Sequence, residues 1–258
     1  MKYQLILAFI IIVSIITYLN VSKLEGFRVN NMIDKVYVIN LDDSKDRLQY
    51  MEEQCDKCDL QFERFPAING KKLNKELLRK QGLLATDKMM IGAIGCSLSH
   101  INIWKKVLNN TNYQNILVLE DDCIIDPNFW NKFNSYKSQI PKNFDILYLG
   151  GSNIYGKKIS KNILKPKFYS KNSTHNTGMY AMLINRKVLQ KLIDSNTPID
   201  DNIDQVLKNK LFNKINTYYV FPPLIKHNNE FDSMRRINSN RAPTTNWFKN
   251  IQDNINIV

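Results

Sequence analysis

Residues Ile116 to Asp122, Ile-Leu-Val-Leu-Glu-Asp-Asp, constrain the fold more than any other stretch, because an uninterrupted apolar run stops abruptly in three adjacent carboxylates. The run is short and is β-branched at Ile116 and Val118, which suits a strand buried on both faces, as in the parallel sheets of α/β proteins. Such sheets take their ligands at the carboxyl ends of their strands. Glu120, Asp121 and Asp122 placed there repel one another unless a cation neutralises them, so a hard divalent metal and a phosphate-bearing substrate are natural complements. A solvated strand end whose Asp residues cap the next turn is the plainer alternative, and this segment alone does not choose between the two.

The rest of the chain alternates strand and helix. Val36 to Leu41 is strand-like, and Asp43 or Ser44 is placed to cap a helix running through Arg47 and Tyr50 toward Cys58. Phe62 to Phe65 predicts a second strand, Ala67 to Gly70 a turn, and Asn74 to Gln81 a charged helix. The glycine-bearing segment Ile91 to Gly95 leads into a helix with an apolar stripe of Leu98, Ile101, Trp104 and Leu108. Asp126-Pro127 opens a helix through Phe133. Asp145 to Leu149 predicts a strand closed by Gly150-Gly151, and Met179 to Ile184 predicts another. Residues 152–176, rich in Lys, Asn and Ser, read as a loop region with one short strand at Ile163 to Tyr169. Helices at Arg186 to Ile193 and Asp201 to Leu211, and a strand at Tyr218 to Phe221 before Pro222-Pro223, complete one α/β domain. Its expected span is 32–237, between a separate segment 1–31 and a polar tail 238–258.

Leu5 to Val21 carries no charge and approaches the roughly 20 apolar residues that cross a bilayer. Without a small-residue cleavage site after it, it reads as an uncleaved membrane anchor followed by a short linker. Lys2 before it and Lys23 and Arg28 after it leave the orientation open. Elsewhere, 36 basic against 24 acidic residues give +12, a balance that favours polyanionic partners. The basic residues are scattered in isolated pairs, and no RNA-recognition signature, zinc finger or basic helix points to nucleic acid.

Leu48, Met51, Cys55 and Cys58 share a helical stripe, which assigns both thiols to a core face rather than to a redox or zinc pair. Cys96 and Cys123 read as small core residues. A phosphate loop and a dinucleotide glycine fingerprint are both missing, so phosphate must be held by metal and side chains. With only His100, His175 and His227 available, an all-oxygen site for manganese or magnesium fits better than a histidine-rich centre.

Val38-Ile39-Asn40-Leu41, Asp46-Arg47, Ala67 with Gly70, Gly95-Cys96-Ser97-Leu98-Ser99-His100 followed by Trp104-Lys105, Leu119-Glu120-Asp121-Asp122, Asp145 to Gly150 and Pro198-Ile199-Asp200 occur in an order that resembles family 25 glycosyltransferases. The resemblance covers roughly residues 34 to 225, and its strength lies in the series, since each motif alone is weak. It implies a GT-A-type, Rossmann-like α/β fold with a mixed, mostly parallel sheet flanked by helices, here preceded by the transmembrane helix. It also implies a UDP-sugar donor, usually UDP-galactose, manganese or magnesium, and inversion at the anomeric carbon, with a glycan or a hydroxylated protein (hydroxylysine) as acceptor. By position, Glu120 and Asp122 match the metal-holding residues, Asn40, Arg47, Glu120 and Asp121 the donor-binding ones, and Asp200 the late acidic position. Lys45, Ala93 and Phe231-Asp232-Ser233 depart from the family pattern, which bears on the acceptor more than on the chemistry. The expected placement is a type II, single-pass membrane protein with a lumenal catalytic domain, a cytoplasm-facing attachment being the alternative.

Physical chemistry agrees with that assignment. The difficult charge in glycosyl transfer is on the departing diphosphate, and a carboxylate-held cation neutralises it as it develops. A separate carboxylate must take the acceptor proton. Asp200 and Asp201 are the residues expected to do so, with Asp204 on the same helical turn, although Thr197-Pro198-Ile199-Asp200 equally reads as an ordinary acidic helix start. His100 is either a structural residue or a donor contact. A metal-dependent nucleotidyl- or phosphotransferase, and an inactive glycan-binding relic, are the alternative functions.

Overall fold

The computed structural model describes residues 32–168, 170–171, 173–228 and 231. Its frame is an eight-stranded sheet in the order β2 (Glu63–Pro66), β1 (Lys35–Asn40), β3 (Asn115–Glu120), β8 (Ala181–Asn185), β5 (Ile146–Tyr148), β9 (Thr217–Val220), β7 (Ile163–Pro166) and β6 (Gly156–Lys158). β1 pairs in parallel with both β2 and β3, and β5 pairs in parallel with β9. β8 and β7 run against the others. The sheet is therefore mixed, with most strands pointing one way, as the resemblance implied. Ile116, Leu117, Val118 and Leu119 are all essentially without solvent exposure, which explains why the β3 run is unbroken rather than alternating.

Parallel pairing sets the functional edge. Register Ile39 with Glu120 brings the end of β1, at Asn40, beside the end of β3. Helices α1 (Lys45–Lys57), α2 (Lys75–Lys80), α3 (Ile91–Asn110), α4 (Phe129–Lys137), α5 (Leu189–Ser195) and α6 (Ile203–Val206) surround the sheet, and α6 runs on into π-helical turns at Leu207–Leu211.

The glycine-bearing segment before Cys96 is part of α3 itself and not a loop. A Cβ on Gly95 would lie 2.5 Å from the Ile68 carbonyl oxygen, and one on Gly70 would meet the Ile91 carbonyl, so the two glycines let the helix press against the turn after β2. Ser99 fixes that approach: its Oγ accepts from the Ile68 N–H at 2.8 Å and donates to the Gly95 carbonyl at 2.7 Å. Because α3 is packed on several sides, its buried set includes Ile94, Ser97, His100, Ile103 and Val107 and is wider than the stripe expected from Leu98 and Leu108, which are only partly buried.

Three strands are absent from the sequence reading. β6 pairs with β7 to make a hairpin at the sheet edge, and β4 (Cys123–Ile125) pairs with β10 (Ile225–His227) as a separate antiparallel ribbon. Segments of three residues carry too little periodicity to be recognised. The α1 start also differs, because Ser44 is the N-cap residue but its side chain makes no capping bond. Cys55 and Cys58 are buried as expected, and burial pushes their thiols up to about 12 and about 11, which disfavours the reactive thiolate form.

The expectation of a fold headed by a membrane-spanning helix is corrected. No helix among the described residues is long and apolar enough to cross a membrane. The segment Leu5 to Val21 on which the anchor rested, and the polar tail 238–258, lie outside the described residues. The single-pass membrane placement rests on that same segment, outside the described residues.

Candidate active site

The site is assembled from the base upward by Asn40. It is 1% exposed, and every polar atom of its amide is engaged by protein. Its Nδ2 donates to the Ser44 carbonyl at 2.9 Å and to Asp121 Oδ2 at 2.8 Å, while its Oδ1 accepts from Arg64 Nε at 2.9 Å. Asn40 thus ties the end of β1, the start of α1 and the acidic turn together and sits beneath the carboxylates.

Arg47, in the first turn of α1, completes the support. Its Nη1 donates to Asp121 Oδ1 at 3.0 Å and lies 3.7 Å from Asp122 Oδ2. The Phe231 ring lies over the guanidinium at 5.1 Å and meets Tyr50 edge-on. Asp121 is therefore a tethered carboxylate. Burial nevertheless raises its pKa above 3.8, an effect that Arg47 and Asn40 oppose and Asp122 reinforces.

Asp122 is the least satisfied member. Its Oδ2 faces His227 Nε2 at 3.2 Å, but its Oδ1 is buried with no hydrogen-bond partner. His227 arrives on β10, whose pairing with β4 sets His227 opposite Cys123, and the Asn228 N–H donates to the Asp122 carbonyl at 2.6 Å. Glu120 is about one-third exposed, with Oε1 at 3.6 Å from His100 Nε2. His100 itself is fully buried, so it lies under Glu120 and not on the open surface.

Gly150 and Gly151 close the same edge, and their small size makes room for aromatic rings. A Cβ on Gly150 would lie 2.2 Å from the Ile225 carbonyl oxygen of β10 and 2.5 Å from Tyr180 Cε2, and one on Gly151 2.5 Å from Tyr219 Cε1. Both phenols are held neutral: burial pushes Tyr180 and Tyr219 far above the usual range, and for Tyr180 the nearby Cys123, Asp122 and Glu120 add to it.

Asn40, Arg47, His100, Glu120, Asp121 and Asp122 are thus brought to one place. Among the described residues no hydrogen bond or ion pair joins Asp200 or Asp201 to them. Asp200 is exposed and paired with Lys210 Nζ at 2.7 Å, and Asp201 accepts from the Asn202 N–H at 2.7 Å. His227 and Tyr180 escaped the sequence reading. The alternation in Ile225-Lys226-His227 was the only available signal, and it spans three residues.

Asp122 and Glu120 are the carboxylates of this edge that could hold a hard cation. Asp122 Oδ1 is an orphaned, buried carboxylate oxygen, an arrangement that costs free energy unless something fills it, and Glu120 offers a second carboxylate two residues away.

The fold and this site define an α/β enzyme with an acidic centre at the carboxyl edge of its sheet. A family model described as glycosyltransferase family 25 (LPS biosynthesis protein) matches residues 33–207. The chain is 33% identical over 250 residues to the procollagen lysyl hydroxylase and glycosyltransferase of Acanthamoeba polyphaga mimivirus, covering 84% of this chain and 27% of that protein. It is 32% identical over 131 residues to a glycosyltransferase 25 family member of Drosophila pseudoobscura pseudoobscura, 46% of this chain and 20% of that one. It is 26% identical over 140 residues to procollagen galactosyltransferase 2 of Mus musculus, covering 50% of this chain and 22% of the mouse protein. The chain belongs to glycosyltransferase family 25. It spans at most 27% of the length of these relatives.

Proposed function

We propose that this chain transfers a hexose, galactose by the example of the mouse relative, from a UDP-sugar to a glycan or hydroxylated protein acceptor with inversion at the anomeric carbon. The observation that carries the reading is Asp122 Oδ1, a buried carboxylate oxygen with no protein partner at the carboxyl edge of a family 25 domain. Glu120 and Asp122 would hold manganese or magnesium, which when bound supplies positive charge to the diphosphate leaving group.

The chain's own groups do the remaining work. Arg47 and Asn40 fix Asp121, and so keep the backbone of the acidic turn in place. His227 orients Asp122 through Oδ2 and leaves Oδ1 directed elsewhere. Tyr180 and Tyr219, neutral and apolar over most of their surface, line the wall behind Gly150-Gly151 and limit water there. Asp200 is the proposed acceptor base, with Asp201 next to it. Asp200 is exposed, which leaves it open to an incoming hydroxyl.

A screen of nucleotide sugars with manganese, reading release of UDP, tests the proposal. UDP release from UDP-galactose that stops with chelator and returns with manganese supports it. Release of pyrophosphate or UMP instead, or full turnover in chelator, would overturn the reaction class or the metal requirement respectively.

A further inference from the structure

A second kind of metal-binding chemistry lies on the other side of Glu120. Cys96 and His100 occupy positions i and i+4 of α3 and so project from the same helical face. That face meets the end of β3. The Cys96 sulfur is 3.9 Å from Glu120 Oε1 and His100 Nε2 is 3.6 Å from the same oxygen, with all three donor atoms within 4.8 Å of one another. A second observation points to a ligand. The His100 ring is 0% exposed, yet neither Nδ1 nor Nε2 has a hydrogen-bond partner, although a buried imidazole ordinarily satisfies at least one nitrogen.

We propose that Cys96, His100 and Glu120 form a site for a borderline-soft divalent cation of the zinc class, distinct in chemistry from the oxygen-only pair that would hold manganese. Thiolate, imidazole and carboxylate together suit zinc, whereas a thiolate is a poor partner for manganese or magnesium. Tetrahedral zinc, with bonds of about 2.3 Å to sulfur and about 2.0–2.1 Å to nitrogen and oxygen, needs S···O and N···O separations of about 3.6 and about 3.4 Å. The two observed separations to Glu120 Oε1 exceed these by a few tenths of an ångström, and all three donor atoms lie within 4.8 Å of one another, so side-chain adjustment can bring them onto one ion. On binding, the Cys96 thiol loses its proton to solvent and the His100 Nε2 lone pair goes to the metal, with no change of oxidation state. Because Glu120 belongs to both donor sets, zinc in this site withdraws Glu120 from the manganese site and acts as an inhibitor that manganese opposes.

Cobalt(II) in place of zinc gives a direct reading on the full chain without any activity assay. Titration should yield one equivalent of a near-ultraviolet thiolate-to-cobalt charge-transfer band that zinc abolishes and magnesium does not. Cys96→Ser should eliminate the band. Wild-type protein without the band, or a Cys96→Ser variant that keeps it, overturns the site and points in the second case to the Cys55–Cys58 pair. A measurement on wild-type protein covers the event that the variant does not fold. Alkylation of Cys96 by iodoacetamide, followed peptide by peptide in a mass spectrometer, should slow at least tenfold with zinc and be unaffected by manganese. An unchanged rate with zinc overturns the proposal.

Discussion

Asn40 and Asp121 stand 81 residues apart in the chain and are joined by a buried 2.8 Å hydrogen bond from Nδ2 to Oδ2. The bond exists because β1 and β3 are parallel neighbours whose carboxyl ends coincide, so the side chain that ends one strand meets the turn that ends the other. An amide is required here, since the position must donate to Ser44 and Asp121 while accepting from Arg64. Asn40→Ala leaves these partners without it in a buried setting. A loss of about 1–3 kcal/mol is expected in denaturant unfolding, the usual cost of an unsatisfied buried group. Turnover should fall as the acidic turn loosens. A variant as stable and active as wild type would show that Arg47 alone holds Asp121.

Asp121 supplies a pH test whose sign is fixed by its environment. Burial raises its folded-state pKa above 3.8, so between the ordinary value and the raised one the native protein binds the proton more readily than the unfolded chain does. Its contribution to stability is present at low pH and lost as pH rises through the folded value. The unfolding free energy of wild type relative to Asp121→Asn should therefore improve as pH is lowered from 7 into that window. Paired denaturation curves at several pH values check this. A difference that worsens toward acid would mean that the Arg47 interaction, and not burial, dominates.

Asp122 and His227 separate holding from orienting. Asp122→Ala removes the orphaned oxygen and should reduce UDP release by at least about two orders of magnitude while near-ultraviolet circular dichroism stays native. His227→Ala, which frees Oδ2 and removes the ring packed edge-on against Tyr180, should cost about ten- to a hundredfold in metal affinity or activity, the range typical of a group that orients a metal ligand. Equal effects from the two would place His227 against the substrate itself.

How much of this was legible in the sequence follows from range. The β3 run and its three carboxylates announce themselves locally, and Asn40 and Arg47 fall on a strand end and a first helical turn that pattern alone delimits. The β4–β10 ribbon is different. It pairs residues 123–125 with 225–227, and three-residue strands are defined by their partner and not by their own periodicity. For that reason the place of His227 beside Asp122 is not legible from its own segment. The close approach of Gly70 and Gly95 is likewise a tertiary matter: glycine lowers helix propensity, so sequence places Ile91 to Gly95 only ahead of the helix, whereas the packing against the Ile68–Gly70 turn carries α3 through it.

Asp200 offers the sharpest division between catalysis and architecture. Its carboxylate is 2.7 Å from Lys210 Nζ, with both side chains about 40% exposed, and a pair this open contributes only about 0–1 kcal/mol. If Asp200 takes the acceptor proton, Asp200→Asn should lower kcat by roughly two orders of magnitude or more and leave donor KM within a factor of about two. Lys210→Met, which removes the partner and keeps the carboxylate, should then retain most of the turnover. Asp201→Asn and Asp204→Asn serve as controls on the adjoining turn. If Asp200→Asn and Lys210→Met both keep normal turnover, the pair is a surface ion pair and the base lies elsewhere, with Asp201 the first residue to test.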